Sequence, residues 1–188
     1  MPKRTRPWLA SIVSLTVALV VAACGGGGEG GGGFGLKETP KSGSVSIGAR
    51  LNSLAPNFNL QRPNGAEVEL AGLRGKPVLL NFWATWCGPC KAEMPELQRL
   101  HERAGDRIHV LGVNLDETAK EIEPFYNDLK LTFPTVIDKG KKVANGYRLL
   151  GVPASIVIDK DGVVQDIRFG PYADDADLAK SVAKVGVT

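Results

Sequence analysis

The stretch that most restricts the fold runs through residues 76–103, where the apolar run "KPVLLNFWA" passes directly into "TWCGPCKAEMPELQRLHER". A run so poor in polar side chains reads as a strand covered on both faces. Beyond it Met94, Leu97 and Leu100 recur at three-residue intervals, which predicts a helix from Pro89 to about Arg103. Two cysteines, Cys87 and Cys90, therefore sit where a buried strand turns into a helix. Gly88 and Pro89 keep that turn tight, and Pro89 suits a first helical turn because no N–H partner is needed there.

Position dictates the chemistry of the pair. Cys87 falls at the helix N-terminus, where unpaired N–H groups and the helix dipole favour a thiolate. Cys90 lies one turn further in, close enough to close a disulfide. Half of a zinc site is the competing reading, but structural zinc takes four ligands. The sequence has no second C-x-x-C and only two histidines, His101 and His109. His101 reads as a residue of a solvated helix face and His109 as a strand residue, so no metal is expected.

The remaining sequence alternates strands and helices. "PNFNLQRPNGAEVEL" predicts two short strands around an Asn64-Gly65 turn, and "RIHVLGVNL" a further strand. Thr118 to Leu129 reads as a helix containing Pro124, "PTVID" as a strand, and "KKVANGYRLLG" as a short helix or turn. "ASIVID" and "VVQDIRF" form strands joined at Lys160-Asp161-Gly162, and Asp174 to Val185 forms a last helix. The expected architecture is α/β: a mixed central sheet flanked by helices, with an N-terminal β-hairpin. At 188 residues and 43% hydrophobic, the chain suits one domain, placed at residues 45–188.

The first 44 residues differ in kind. A basic tip followed by "WLASIVSLTVALVVAAC" has the layout of an export signal over residues 1–23. The apolar run is short of the roughly 20 residues that a spanning helix needs, which leaves an uncleaved anchor as the alternative. "GGGGEGGGGFG" can neither pack a core nor hold a helix and reads as a tether within residues 24–44. Lys3, Arg4 and Arg6 account for the whole formal charge of +3, so the chain beyond the leader is balanced and no nucleic-acid surface is expected. Val21-Ala22-Ala23-Cys24 resembles the bacterial lipobox. That resemblance implies lipidation of Cys24 and leaves an even pair of cysteines, as suits an oxidising compartment.

Trp86-Cys87-Gly88-Pro89-Cys90 matches without change the active-site motif of the thioredoxin superfamily. Pro95 sits where that family has a helix-kinking proline, and "GVPASIVIDKDG" at 151–162 resembles its cis-proline loop, strand and hairpin. The approach to the motif, and "VNLDETAKEIEPFYNDLKLTFPTVID" as a strand-helix insert, resemble the membrane-tethered, AhpC/TSA-related TlpA/ResA-like branch. The resemblance implies a thioredoxin fold and an enzyme exchanging thiols and disulfides, with no cofactor beyond the Cys87–Cys90 disulfide. Cys87 would attack and Cys90 resolve. Trp86, Gly88, Pro89, Val152 and Pro153 would form the substrate surface, with a cis Val152–Pro153 bond letting the Val152 backbone pair with an extended substrate. An ordinary trans proline is the alternative.

The same resemblance implies a monomer lipid-anchored to the cell membrane on its extracytoplasmic side. Its partners would be exported proteins with disulfides, apocytochrome c among them, and a membrane thiol reductant. Thioredoxins carry a buried Asp in the strand before the motif, and here that position is Asn81. Glu93 lies on the same helix face as Cys90 and matches a glutamate of the tethered branch, which implies a role in handling the Cys90 proton. Its other reading is an ordinary acid near a helix N-terminus. A disulfide-forming oxidase stays open, because potential depends on how strongly the thiolate is stabilised. A peroxiredoxin-type peroxidase is the alternative enzyme, but that pattern places Thr three residues before the reactive cysteine, where Ala84 stands. A copper- or haem-cargo binding module lacks any Met or His beside the motif.

Overall fold

A computed structural model describes residues 49–188. The expected export signal, Cys24, the expected tether and the first residues of the expected domain lie outside the described residues. In chain order the elements are β1 (Asn59–Gln61), β2 (Glu67–Glu69), β3 (Val78–Trp83), α1 (Gly88–Ala104), β4 (His109–Leu115), α2 (Ala119–Asp128), β5 (Thr135–Asp138), α3 (Lys142–Gly146), β6 (Ala154–Ile158), β7 (Val164–Phe169) and α4 (Asp175–Ala183).

All six residues of β3 are buried, as an uninterrupted apolar strand requires. It lies inside a seven-stranded sheet of order β2-β1-β5-β4-β3-β6-β7. The β3–β4 and β4–β5 pairs are parallel, whereas β6, β7 and the β1–β2 hairpin run antiparallel to their neighbours. Fold class, hairpin and strand-helix insert (α2 and β5) thus stand as the sequence implies. The hairpin joins the sheet through one residue pair, Gln61 with Ile137. On the other edge Asn52 and Ser53 bond to Val164 at the start of β7 (2.8 and 2.9 Å).

Strand alternation divides the core in two. Val78, Leu80 and Phe82 join Leu111, Val113 and Ile156 on the face covered by α3 and the hairpin. Leu79 and Trp83 turn to the other face, where Met94, Leu97 and Leu100 of α1 and Leu178 and Val182 of α4 cover them. Full burial of one such aliphatic side chain stabilises by about 1.5–3 kcal/mol. Gly112 of β4 is required for this fit, because a Cβ there would stand 2.8 Å from Trp83 Nε1 and 2.9 Å from Thr135 Oγ1.

Two helices contain a proline, Pro95 in α1 and Pro124 in α2, and each removes one i to i−4 bond. A capping box offsets this in α2: the Thr118 side chain and backbone meet Glu121 at its first turn. The ambiguous "KKVANGYRLLG" resolves into α3, whose N–H groups at Val143 and Ala144 donate to the buried Asp138 carboxylate (3.0 and 2.8 Å). Among the described residues no helix is long and apolar enough to cross a membrane.

Candidate active site

Cys87 is the N-cap of α1. Its backbone is extended (φ −86°, ψ 101°), and its Sγ accepts the Cys90 N–H at 3.2 Å. A sulfur placed there meets an unpaired helical N–H and the positive end of the dipole, both of which favour its anion once the disulfide opens. The two cysteines are joined by a disulfide with Cα atoms 5.2 Å apart. Although it caps the helix, Cys87 is only 5% accessible and joins the buried core cluster, whereas its neighbour Trp86 is 66% accessible. Cys90 has no accessible surface. Gly88 and Pro89 are exposed beside them.

The polar shell lies on the inner side. Glu93 is buried on the face of α1 that carries Cys90, and its two oxygens accept from Asn81 Nδ2 (2.9 Å) and from the Tyr172 N–H (2.9 Å). Burial pushes the Glu93 carboxyl above its ordinary range, against the opposing pull of the Tyr172 N–H, the Asn81 amide and the Arg168 charge. Asn81 also donates to Ser155 Oγ (3.0 Å). A residue at this strand position that must donate to Glu93 cannot be a second carboxylate, so the buried acid of this site resides on the helix. Neither Glu93 oxygen is bonded to a cysteine.

Val152–Pro153 is cis. Pro153 is buried and its carbonyl accepts the Gly170 N–H (2.9 Å). Val152 packs against the cluster that holds both cysteines. Among the described residues its backbone N–H and C=O have no partner, which leaves one short edge free for an added strand.

Sequence reasoning missed Glu117. This buried side chain accepts the Thr85 N–H (2.8 Å), the Thr85 hydroxyl and Asn114 Nδ2 (2.6 Å), while its own N–H donates to Asn114 Oδ1 (3.1 Å). Asn114 pairs in register with Trp83. The end of β4 thereby grips the loop that carries Trp86 and Cys87. Its one sequence signal is the polar Asn114 inside the apolar "VLGVNL".

The histidines stand outside the site. His101 is half-buried with its ring edge-on to Phe133 (6.4 Å) rather than fully solvated, because that side of α1 meets the segment before β5. His109 opens β4, where desolvation first, and then the Lys76 charge, hold its pKa low against the opposite effect of Asp106. Phe82 and Trp83 are core. Among the described residues no group of three or more His, Cys, Asp or Glu is placed to hold a metal ion. The redox-active group is the disulfide itself.

The AhpC/TSA family model matches residues 51–167. The chain is 38% identical over 127 residues to the thioredoxin-like protein YneN of Bacillus subtilis, covering 66% of this chain and 74% of that one. It is 42% identical over 162 residues to the thiol-disulfide oxidoreductase ResA of Geobacillus thermodenitrificans, covering 85% and 87%. The crystal structure of a secreted Mycobacterium tuberculosis disulfide oxidoreductase homologous to E. coli DsbE superposes with a TM-score of 0.61 at 26% identity, covering 67% of this chain and 94% of that one. With an open cis-proline edge, a capped cysteine and these relatives, the chain belongs to the AhpC/TSA family as a thiol-disulfide oxidoreductase of the ResA/DsbE-like kind within the thioredoxin superfamily.

Proposed function

We propose that the protein reduces disulfides in exported proteins, apocytochrome c among them, while a lipid on Cys24 and the tether behind it hold it at the outer face of the cell membrane. The observation that supports the reductive direction is the Glu93 carboxyl buried one turn behind Cys90. A negative charge in that shell opposes formation of a thiolate. A strong oxidant owes its potential to a stabilised reduced form, and a carboxylate here works the other way.

In the cycle, the Cys87 thiolate attacks one sulfur of the substrate disulfide. The Cys87–substrate bond forms, the substrate S–S bond breaks, and one substrate thiolate leaves. Cys90 then gives its proton to Glu93 and attacks Cys87 Sγ, which closes the Cys87–Cys90 bond and releases the second substrate thiolate. The substrate gains two electrons and the protein loses two, so a membrane dithiol must reopen the disulfide. Trp86, Gly88, Pro89 and Pro153 frame the docking surface, and Val152 supplies the backbone pair. The working unit is a monomer.

Covalent trapping in the native envelope tests this. With Cys90→Ala the first step survives and the second cannot occur, so a Cys87 mixed disulfide with exported C-x-x-C-H proteins accumulates. Trapping through Cys90 in a Cys87→Ala variant would overturn the order of attack. A trapped set of unrelated secreted proteins would overturn the apocytochrome assignment.

A further inference from the structure

A polar row crosses the apolar face of the sheet beneath the active site. Asn81 of β3 lies between Leu79 and Trp83 on the side covered by α1 and α4. It pairs in register with Ser155 of β6, and Ser155 pairs with Arg168 of β7. Paired residues of neighbouring strands point to the same face, so these three side chains form one line from the middle of the sheet to its rim. Glu93 meets the row at Asn81 Nδ2 (2.9 Å), and Arg168 stands at its outer end.

Arg168 closes on the turn between β7 and α4. Its Nε and Nη2 donate to the Pro171 carbonyl (3.1 and 2.9 Å), and its Nη1 and Nη2 reach the Asp177 carboxylate (3.1 and 2.6 Å). The guanidinium carbon lies 4.7 Å from the centre of the Tyr172 ring. A planar fork serves the carbonyl and the carboxylate at once while its face covers the ring, whereas a lysine would bring a point charge without that geometry. Inside this grip the Gly170 N–H donates to the Pro153 carbonyl (2.9 Å), the Tyr172 N–H to Glu93 (2.9 Å) and the Ala173 N–H to Asp177 (3.1 Å). One short turn therefore touches both the buried acid and the cis proline, and one side chain holds it from outside.

The elements around Glu93 bring in these groups: Cys87 and Cys90 from α1, the neutral Asn81 and Ser155 from β3 and β6, Tyr172 from the turn, Arg168 and Asp166 from β7, and Asp177 from α4. Asp166 and Asp177 are each held in an ion pair, with Lys184 and Arg168. Among the described residues Arg168 is the charge that acts on Glu93, and it favours the anion against the effect of burial.

We propose that Arg168 is a positioning residue for the exchange reaction: its grip on the β7–α4 turn holds the Tyr172 N–H against Glu93 and keeps that carboxylate placed and ionised to take the Cys90 proton. The proton passes from Cys90 Sγ to a Glu93 oxygen, and no bond of Arg168 forms or breaks. This rests on the role given to Glu93 above.

The test uses the full chain in detergent, with isotope-labelled glutamate carboxyls and the Glu93 signal assigned by its absence in Glu93→Gln. Two quantities are read against pH. One is the titration of Glu93 in the oxidised protein. The other is the rate at which the Cys87 mixed disulfide closes to the Cys87–Cys90 bond, followed by acid quench and mass during one turnover of the pre-reduced protein with bis(2-hydroxyethyl) disulfide.

In the parent, closure slows on the acid side as Glu93 becomes protonated. Arg168→Gln moves the Glu93 titration to higher pH, because a cation and a fixed N–H partner are both lost, and the acid side of the closure profile moves up with it. Arg168→Lys, which keeps the charge but not the fork, falls between the two. Glu93 titrations that overlay in parent and Arg168→Gln would overturn the proposal and leave the role of Glu93 standing. A lysine variant that matches the parent in both readouts would overturn the grip. A Glu93 titration that moves while the closure profile stays would overturn instead the reading of Glu93 as the acceptor, and the proposal with it. If Arg168→Gln fails to fold, Arg168→Lys decides through the same two readouts.

Discussion

Replacing Glu117 by Ala should cost the oxidised protein about 2–4 kcal/mol of stability and loosen the loop that carries Cys87. Three donors lose one acceptor: the Thr85 N–H, the Thr85 hydroxyl and Asn114 Nδ2. Hydrogen bonds to a charged group contribute about 1.5–3 kcal/mol each, and a buried donor left unpaired costs about 1–3 kcal/mol. Asn114 has no accessible surface, so water cannot replace its partner, whereas Thr85 is half-buried and finds water at less cost. Removing a carboxylate that is buried without a bonded cation relieves several kcal/mol of desolvation, which brings the net effect down to the stated range. Glu117→Gln should cost less, about 1 kcal/mol, because the Thr85 hydroxyl can rotate to accept from the new amide while the remaining oxygen keeps the other two donors. The assay is urea unfolding of parent, Glu117→Ala, Thr85→Val and the double variant, with the disulfide intact. A coupling energy of about 1 kcal/mol or more between the two positions is expected. A Glu117→Ala cost under about 0.5 kcal/mol, or a coupling of zero, would refute the view that this carboxylate braces the loop.

Further outcomes follow from the same geometry. Because burial raises the Glu93 pKa above 4.5, the stability tied to its neutral form is fully present below the unfolded value and is lost as pH rises through the folded value. The difference in unfolding free energy between parent and Glu93→Gln should therefore change by up to about 1.4 kcal/mol per pH unit in that window, and parallel pH profiles would count against it. Cys24→Ala should leave the protein unprocessed or release it from the membrane fraction; unchanged detergent partitioning of a processed chain would refute lipidation. Hydrogen peroxide should be turned over far more slowly than a disulfide, since Ala84 stands where a peroxidatic pattern has Thr, and comparable rates in a thiol-coupled assay would reverse that reading.

Local features of the site were legible in the sequence because they follow from short-range physics. The apolar run ending at Trp83, the Gly88-Pro89 turn and the three-residue recurrence after it place a cysteine at a helix cap without tertiary information. Glu93 was legible as a neighbour of Cys90 because three residues along a helix share a face. Its partners were not. The Tyr172 N–H that holds it lies 79 residues away and reaches it only through the turn after β7. Glu117 was hidden for the same reason, since 32 residues separate it from Thr85 and only the parallel register of β3 and β4 brings them together. Cys87 is less exposed than a helix-capping position implies because accessibility depends on what packs against a side chain, here the core cluster that also holds Ala84 and Met94, and that is a property of the assembled structure.

The two margins of the sheet bear on how copies of this protein tolerate one another. Unpaired strand margins invite another chain to add on, the first step of runaway association. One margin, β2, is three residues long and has exposed Glu67 and Glu69 on either side of its single buried Val68, too short and too acidic to template a neighbour. The other, β7, is longer, and Asn52 and Ser53 occupy its first backbone positions. Deleting residues 49–55 would bare that strand. The expected consequence is concentration-dependent self-assembly of a domain whose disulfide chemistry is still intact, visible as light scattering that a charged substitution at the exposed Phe169 suppresses.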